Sequence, residues 1–87
     1  MSWRMKYGIE VLDAIDREPG RLPSHYINQF ENMRTAHLRI MDMVEVGLIA
    51  THEIPVSYNR RTLTLTDKGR TVLDLCKKIE RVMEADR

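Results

Sequence analysis

Arg34, Arg39, Arg60 and Arg61 are the residues of this 87-residue chain whose chemistry is most easily named. A guanidinium is a planar fork of donors that fits a phosphate or the O6/N7 edge of guanine. Lys68, Arg70, Lys77 and Lys78 extend the series, whereas Ile9 to Glu18 holds four acidic residues and one basic. The net charge of +1 conceals this asymmetry. Gathered on one face, the cations would form a footprint for a polyanion; dispersed, they are ordinary solvated side chains. Charge alone does not separate these alternatives.

Other chemistry finds little support. His25, His37 and His52 fall on three different expected elements, none at a two-ligand spacing, and Cys76 is too distant in sequence to complete a zinc motif. The sequence contains no Gly-x-Gly-x-x-Gly, phosphate loop or nucleophile elbow. Neither an enzyme nor a metal or cofactor site is expected. The single cysteine excludes an internal disulfide and suits a reducing compartment. No apolar run approaches the ~20 residues of a membrane span, and Met1 to Lys6 lacks the apolar core of a secretory signal. A cytoplasmic chain without a membrane partner is therefore expected. An apolar fraction of 43% and a charged fraction of 31% describe one globular domain over residues 1–87. Such a short chain buries only about 60–65% of its unfolded surface, so a partner subunit would supplement its core.

The elements that must position these residues can be read from periodicity. Ile9, Leu12 and Ile15, with Tyr7 and Val11, recur at helical spacing from about Trp3 to Arg17, and Pro19-Gly20 ends that helix. A short second helix is expected from about Ser24, its N-cap, to Phe30. After the polar break Glu31-Asn32, a third helix runs from about Met33 to Val46 and closes at Gly47. Leu48 to Ile54 suggests a strand, Pro55 to Arg60 a turn, and Arg61 to Thr66 a second strand whose leucines and threonines alternate strictly. Thr66-Asp67 opens a last helix reaching Ala85, on which Val72, Cys76, Ile79 and Met83 step by four, three and four. Three helices, a two-stranded hairpin and a long C-terminal helix make an α+β, mostly helical chain in the order of a winged helix-turn-helix.

At Gly47-Leu48-Ile49 and at Leu65-Thr66-Asp67-Lys68-Gly69 the sequence resembles winged-helix transcription regulators of the MarR and PadR type and small archaeal winged-helix proteins. Asn59-Arg60-Arg61 stands where such families carry basic wing residues, and the resemblance covers roughly Arg34 to Leu75. It implies a regulator that binds double-stranded DNA. With few residues before the first helix, pairing is expected through the helix at 67–85.

If the third helix buries Ala36, Ile40, Met43 and Val44, its free face near the start carries Arg34, Thr35 and Leu38, flanked by His37 and Arg39. These five are the expected recognition residues, because the first turns of such a helix meet base edges. Tyr58, Asn59, Arg60 and Arg61 form the expected wing contact, and Ser24, His25 and Lys68 the expected phosphate contacts. Val72, Cys76, Ile79 and Met83 form the expected dimer seam. Leu38 and Met41 are apolar on the side assigned to DNA, and with the near-neutral charge they keep a second possibility open: a winged helix that binds protein. The principal expectation is a sequence-specific homodimeric regulator, a repressor that excludes polymerase.

Overall fold

A computed structural model describes residues 7–55 and 60–85, so Tyr58 and Asn59 of the expected wing lie outside the described residues. The order is α1 (Gly8–Arg17), α2 (Pro23–Ile27), α3 (Met33–Glu45), β1 (Ile49–Glu53), β2 (Arg61–Leu65) and α4 (Asp67–Ala85). This is the α+β winged helix-turn-helix expected from the sequence.

Helix α1 buries Val11, Leu12, Ala14 and Ile15 and leaves Glu10, Asp16 and Arg17 in solvent. Pro19-Gly20 then turns the chain, Gly20 adopting φ +82°. The next residue joins the sheet: the Gly20 amide donates to the Leu63 carbonyl at 2.8 Å, and the Leu63 amide donates to that of Arg21 at 3.0 Å.

Helix α2 is shorter than expected and starts one residue earlier. Leu22 precedes a proline and is driven into extended backbone (φ −70°, ψ 153°). Pro23 takes the first helical position, where a missing N–H is harmless. Ser24 is thus inside the helix rather than its N-cap, and the chain from Asn28 to Phe30 continues as turns. Tyr26 is fully buried. Its hydroxyl donates to the Glu18 carbonyl at 2.5 Å and accepts from the Arg21 amide at 3.1 Å. Burial pushes the phenol pKa above its usual value, against the lowering effect of the Arg21 amide.

Helix α3 is set by its entry. The Asn32 side chain accepts from the Thr35 amide at 3.0 Å, an N-cap, while the Asn32 amide donates to the Tyr7 hydroxyl at 3.2 Å. The Tyr7 and Phe30 rings pack at 4.7 Å, which ties the turn between α2 and α3 to the start of α1. Ala36, Ile40 and Met43 are buried and Val44 is half-buried, as the periodicity requires.

In the antiparallel hairpin Ile49 pairs with Leu65 and Glu53 with Arg61. Leu63 and Leu65 enter the core with Leu48 and Ile49, whereas Thr62 and Thr64 point away, half-buried. Thr66 then caps α4, accepting from the Gly69 amide at 2.9 Å. Leu73 and Cys76 pack inward, and Lys77 Nζ meets Asp13 of α1 at 3.0 Å. From Lys78 to Ala85 every residue is exposed. The first half of α4 is docked on α1, and its second half projects from the body.

Candidate nucleic-acid interface

With about 3.6 residues per turn, burial of Ala36, Ile40 and Met43 fixes which side of α3 looks outward. Arg34, Leu38 and Met41 form one stripe opposite the core, with His37 on its flank, all exposed. Glu45 ends the same stripe, also exposed. The first turn of α3 carries no acidic residue. Arg34 meets no carboxylate among the described residues, so its donors face solvent.

The hairpin stands beside this helix. Between them opens a groove of about 710 Å³, lined by the apolar Leu22, Ile40, Met41, Val44 and Leu63 and by Ser24, His37, Thr51, Arg60 and Arg61. Its lining combines apolar side chains with donors and cations, a surface able to meet a strand whose sugars are apolar and whose phosphates are anionic. Arg61 also reaches Glu53 across the hairpin at 3.5 Å, an exposed pair of little energetic weight.

Several expected contacts are used elsewhere. The Arg39 side chain is only 15% exposed and pairs with Asp42 at 3.2 Å, so it lies on the flank as a structural cation instead of a reader of base edges. Lys68 Nζ donates to the Val46 carbonyl at 3.0 Å. The end of a helix leaves carbonyls unsatisfied, and this ammonium satisfies one of them on α3 rather than standing free for a phosphate. His25 Nε2 is 2.6 Å from Glu18 Oε2, which holds the ring against the preceding turn. Thr35 is half-buried and donates its amide to the cap. Arg70 pairs with Asp67 at 3.2 Å and Lys77 with Asp13, so these cations belong to the α4 and α1 side and not to a common basic face. Of the expected contact residues, Arg34, His37, Arg60 and Arg61 stay exposed around α3 and the hairpin.

The comparisons with solved structures concern the same frame. The transcriptional repressor CouR, solved bound to a 23-mer DNA duplex, matches with a TM-score of 0.81 and 26% identity over 98% of this chain. MarR matches at a TM-score of 0.78 with 23% identity over 92% of the chain. FabT of Streptococcus pneumoniae, solved in complex with DNA, matches at 0.70 with 18% identity over 98%. The fold is the MarR-type winged helix. The chain spans 61%, 59% and 64% of the lengths of those three proteins. No family model and no curated protein matches the sequence.

Within this winged helix the expected seam on α4 needs correction. Cys76 is buried and Val72 is half-buried against the core, both turned toward their own chain. The open apolar stripe is Leu75, Ile79, Val82 and Met83, with Ile79 53% exposed. Only Ile79 and Met83 of the expected four belong to it. The reason is that α4 serves two surfaces: Leu73 and Cys76 face α1 and the sheet, which rotates the free stripe by one residue. Sequence periodicity was consistent with either stripe, since Leu75 and Val82 broaden it.

Met41 was legible as apolar on the outward side of α3, but its place beside Arg34 and Leu38 needed the helix rotation. The groove residues Leu22 and Thr51 carried no sequence signal. Among the described residues no group of three His, Cys, Asp or Glu is placed to hold a metal ion. No described helix is long and apolar enough to cross a membrane.

Proposed function

We propose that this chain is the DNA-contacting unit of a transcription regulator, a repressor acting as a homodimer on double-stranded DNA. The observation that carries this proposal is an exposed outward stripe of Arg34, Leu38 and Met41 on α3, whose Met41 lines one groove together with Arg60 and Arg61 of the hairpin. In such a docking α3 enters the major groove by its first turns, and Glu45 at the far end stays clear of the phosphates. The wing arginines take the neighbouring backbone, and Ser24 in the groove lining is the further phosphate contact. The similar CouR and FabT were solved on DNA, which supports reading this chain as DNA-binding.

Residues 1–87 act as one winged-helix domain with 67–85 as the dimerisation helix. The pairing surface is Leu75, Ile79, Val82 and Met83, whose exposure on a projecting helix is costly for a monomer. Two copies so joined present their α3 helices to successive major grooves, about 34 Å apart. A bound dimer covers its site and excludes polymerase.

The test is a titration of the dimeric protein against genomic fragments with competitor DNA, repeated at rising salt. Affinity that falls steeply with salt is expected. Absence of binding at low salt, by protein shown to be dimeric, overturns the proposal.

A further inference from the structure

We infer that Leu38 and Met41 read thymine methyl groups, in a site where a guanine held by Arg34 lies within about two base pairs; this rests on the DNA-binding proposal above. Leu38 is 45% exposed and Met41 55% exposed, one turn apart on the face opposite Ala36, Ile40 and Met43. No described element covers them. An apolar patch of this kind on a helix ordinarily signals a protein partner, but its surroundings here are cationic. Arg34 continues the same stripe, His37 flanks it, and Arg60 and Arg61 line one groove with His37 and Met41. The carboxylates on α3 stand at its far end: Asp42 is held by Arg39, and Glu45 closes the stripe.

The ligand that suits this surface is a polyanion that also offers apolar groups. In the major groove one base-edge group of the four bases is apolar, the C5-methyl of thymine. Spacing fits as well. Leu38 lies four residues beyond Arg34, an advance of about 6 Å along the helix axis. Base pairs are stacked about 3.4 Å apart, so that advance covers roughly two of them. Met41 is one turn further and its unbranched chain adapts to a methyl slightly out of line.

The experiment selects bound duplexes from a random library and resynthesises the enriched duplex with uracil in place of each thymine in turn. Uracil pairs like thymine and lacks only the methyl. The expected result is a loss of about fourfold at one or two thymines per half-site, within about two base pairs of a guanine, corresponding to the ~0.8 kcal/mol of one buried methyl-sized group. The variants Leu38→Ala and Met41→Ala should each bind the thymine duplex more weakly and lose the sensitivity to uracil at one position, the coupling expected of a direct contact. Both positions are exposed, so the variants should keep the circular dichroism and thermal midpoint of the parent. Three results overturn the inference while leaving DNA binding in place: equal affinity with uracil everywhere, uracil sensitivity unchanged in both variants, or binding without enrichment of any sequence. A parent protein that binds no duplex at low salt overturns the DNA-binding proposal itself.

Discussion

Gly69 lies so close to Leu48 that a Cβ at Gly69 would overlap the Leu48 carbonyl oxygen and stand 3.0 Å from its carbonyl carbon. Around that contact the end of β2 and the start of α4 grip the end of α3. The Thr66 amide donates to the Leu48 carbonyl at 3.1 Å and the Thr66 hydroxyl to the Gly47 carbonyl at 2.6 Å, while Lys68 holds Val46. The two motifs that resemble winged-helix regulators, Gly47-Leu48-Ile49 and Leu65-Thr66-Asp67-Lys68-Gly69, are therefore two sides of one joint. This joint sets the angle between the outward stripe of α3 and the hairpin beside it.

Gly69→Ala should loosen that joint, because the added methyl meets backbone that cannot rotate away. A cost on the order of 2 kcal/mol is expected, at the level of other overpacked sites. Thr66→Val removes the cap and the bond to Gly47 and should cost about 1 kcal/mol. Urea unfolding followed by circular dichroism measures both; a midpoint for Gly69→Ala equal to that of the parent would refute the contact.

The two faces of α4 should separate in mutagenesis. Ile79→Lys and Val82→Lys place charge on the open stripe and should shift light scattering from dimer to monomer, with little loss of monomer stability. Cys76→Ala lies on the inner face and should cost about 1 kcal/mol, one methylene-sized group and its cavity, without shifting the association equilibrium of the folded protein. The reverse pattern would return the seam to Cys76.

Tyr26 gives the fold an alkaline limit. Its folded pKa is raised by burial, so the neutral phenol is favoured in the native state. The unfolded chain releases this proton first, near the ordinary tyrosine value of about 10. The contribution is fully present below that pH and is lost as pH rises through the folded pKa. Tyr26→Phe should be less stable than the parent at pH 7, having lost its bonds to Glu18 and Arg21, and the difference should narrow above about pH 10. Unfolding free energies of the two proteins across that range decide it.

The arginines of α3 and of the hairpin should differ in kind. Arg34→Ala should lower affinity for the selected duplex by about 1–3 kcal/mol and relax preference at one base pair, as loss of a guanine contact does. Arg60→Ala and Arg61→Ala should weaken all duplexes alike and reduce the salt slope by about 1 each. Fluorescence anisotropy over a salt series distinguishes these, and a uniform loss for Arg34→Ala would make it a phosphate contact.

The sequence by itself determined the order of the elements, the stops after α1 and α3 and which β2 residues face the core, though not the bounds of α2. Pro19-Gly20, Gly47 and the alternation from Arg61 to Thr66 act through neighbours a few residues away, so they are readable in one dimension. It also located Arg34 and Leu38 on the outward side of α3, because Ala36, Ile40 and Met43 fix the opposite side by period alone. Tertiary structure decided the rest. Val46 claims Lys68 and Glu18 claims His25, each through a partner whose approach no local pattern announces, whereas Asp42 claims Arg39 from three residues along the same helix. Likewise Cys76 and Leu75 are adjacent, equally apolar places on α4. Which of them is buried depends on how the helix lands on α1, and that follows from the close Gly69–Leu48 contact at its start and the packing of Leu73 into the core. Side-chain type is a property of the chain, whereas the partner that uses it up is a property of packing.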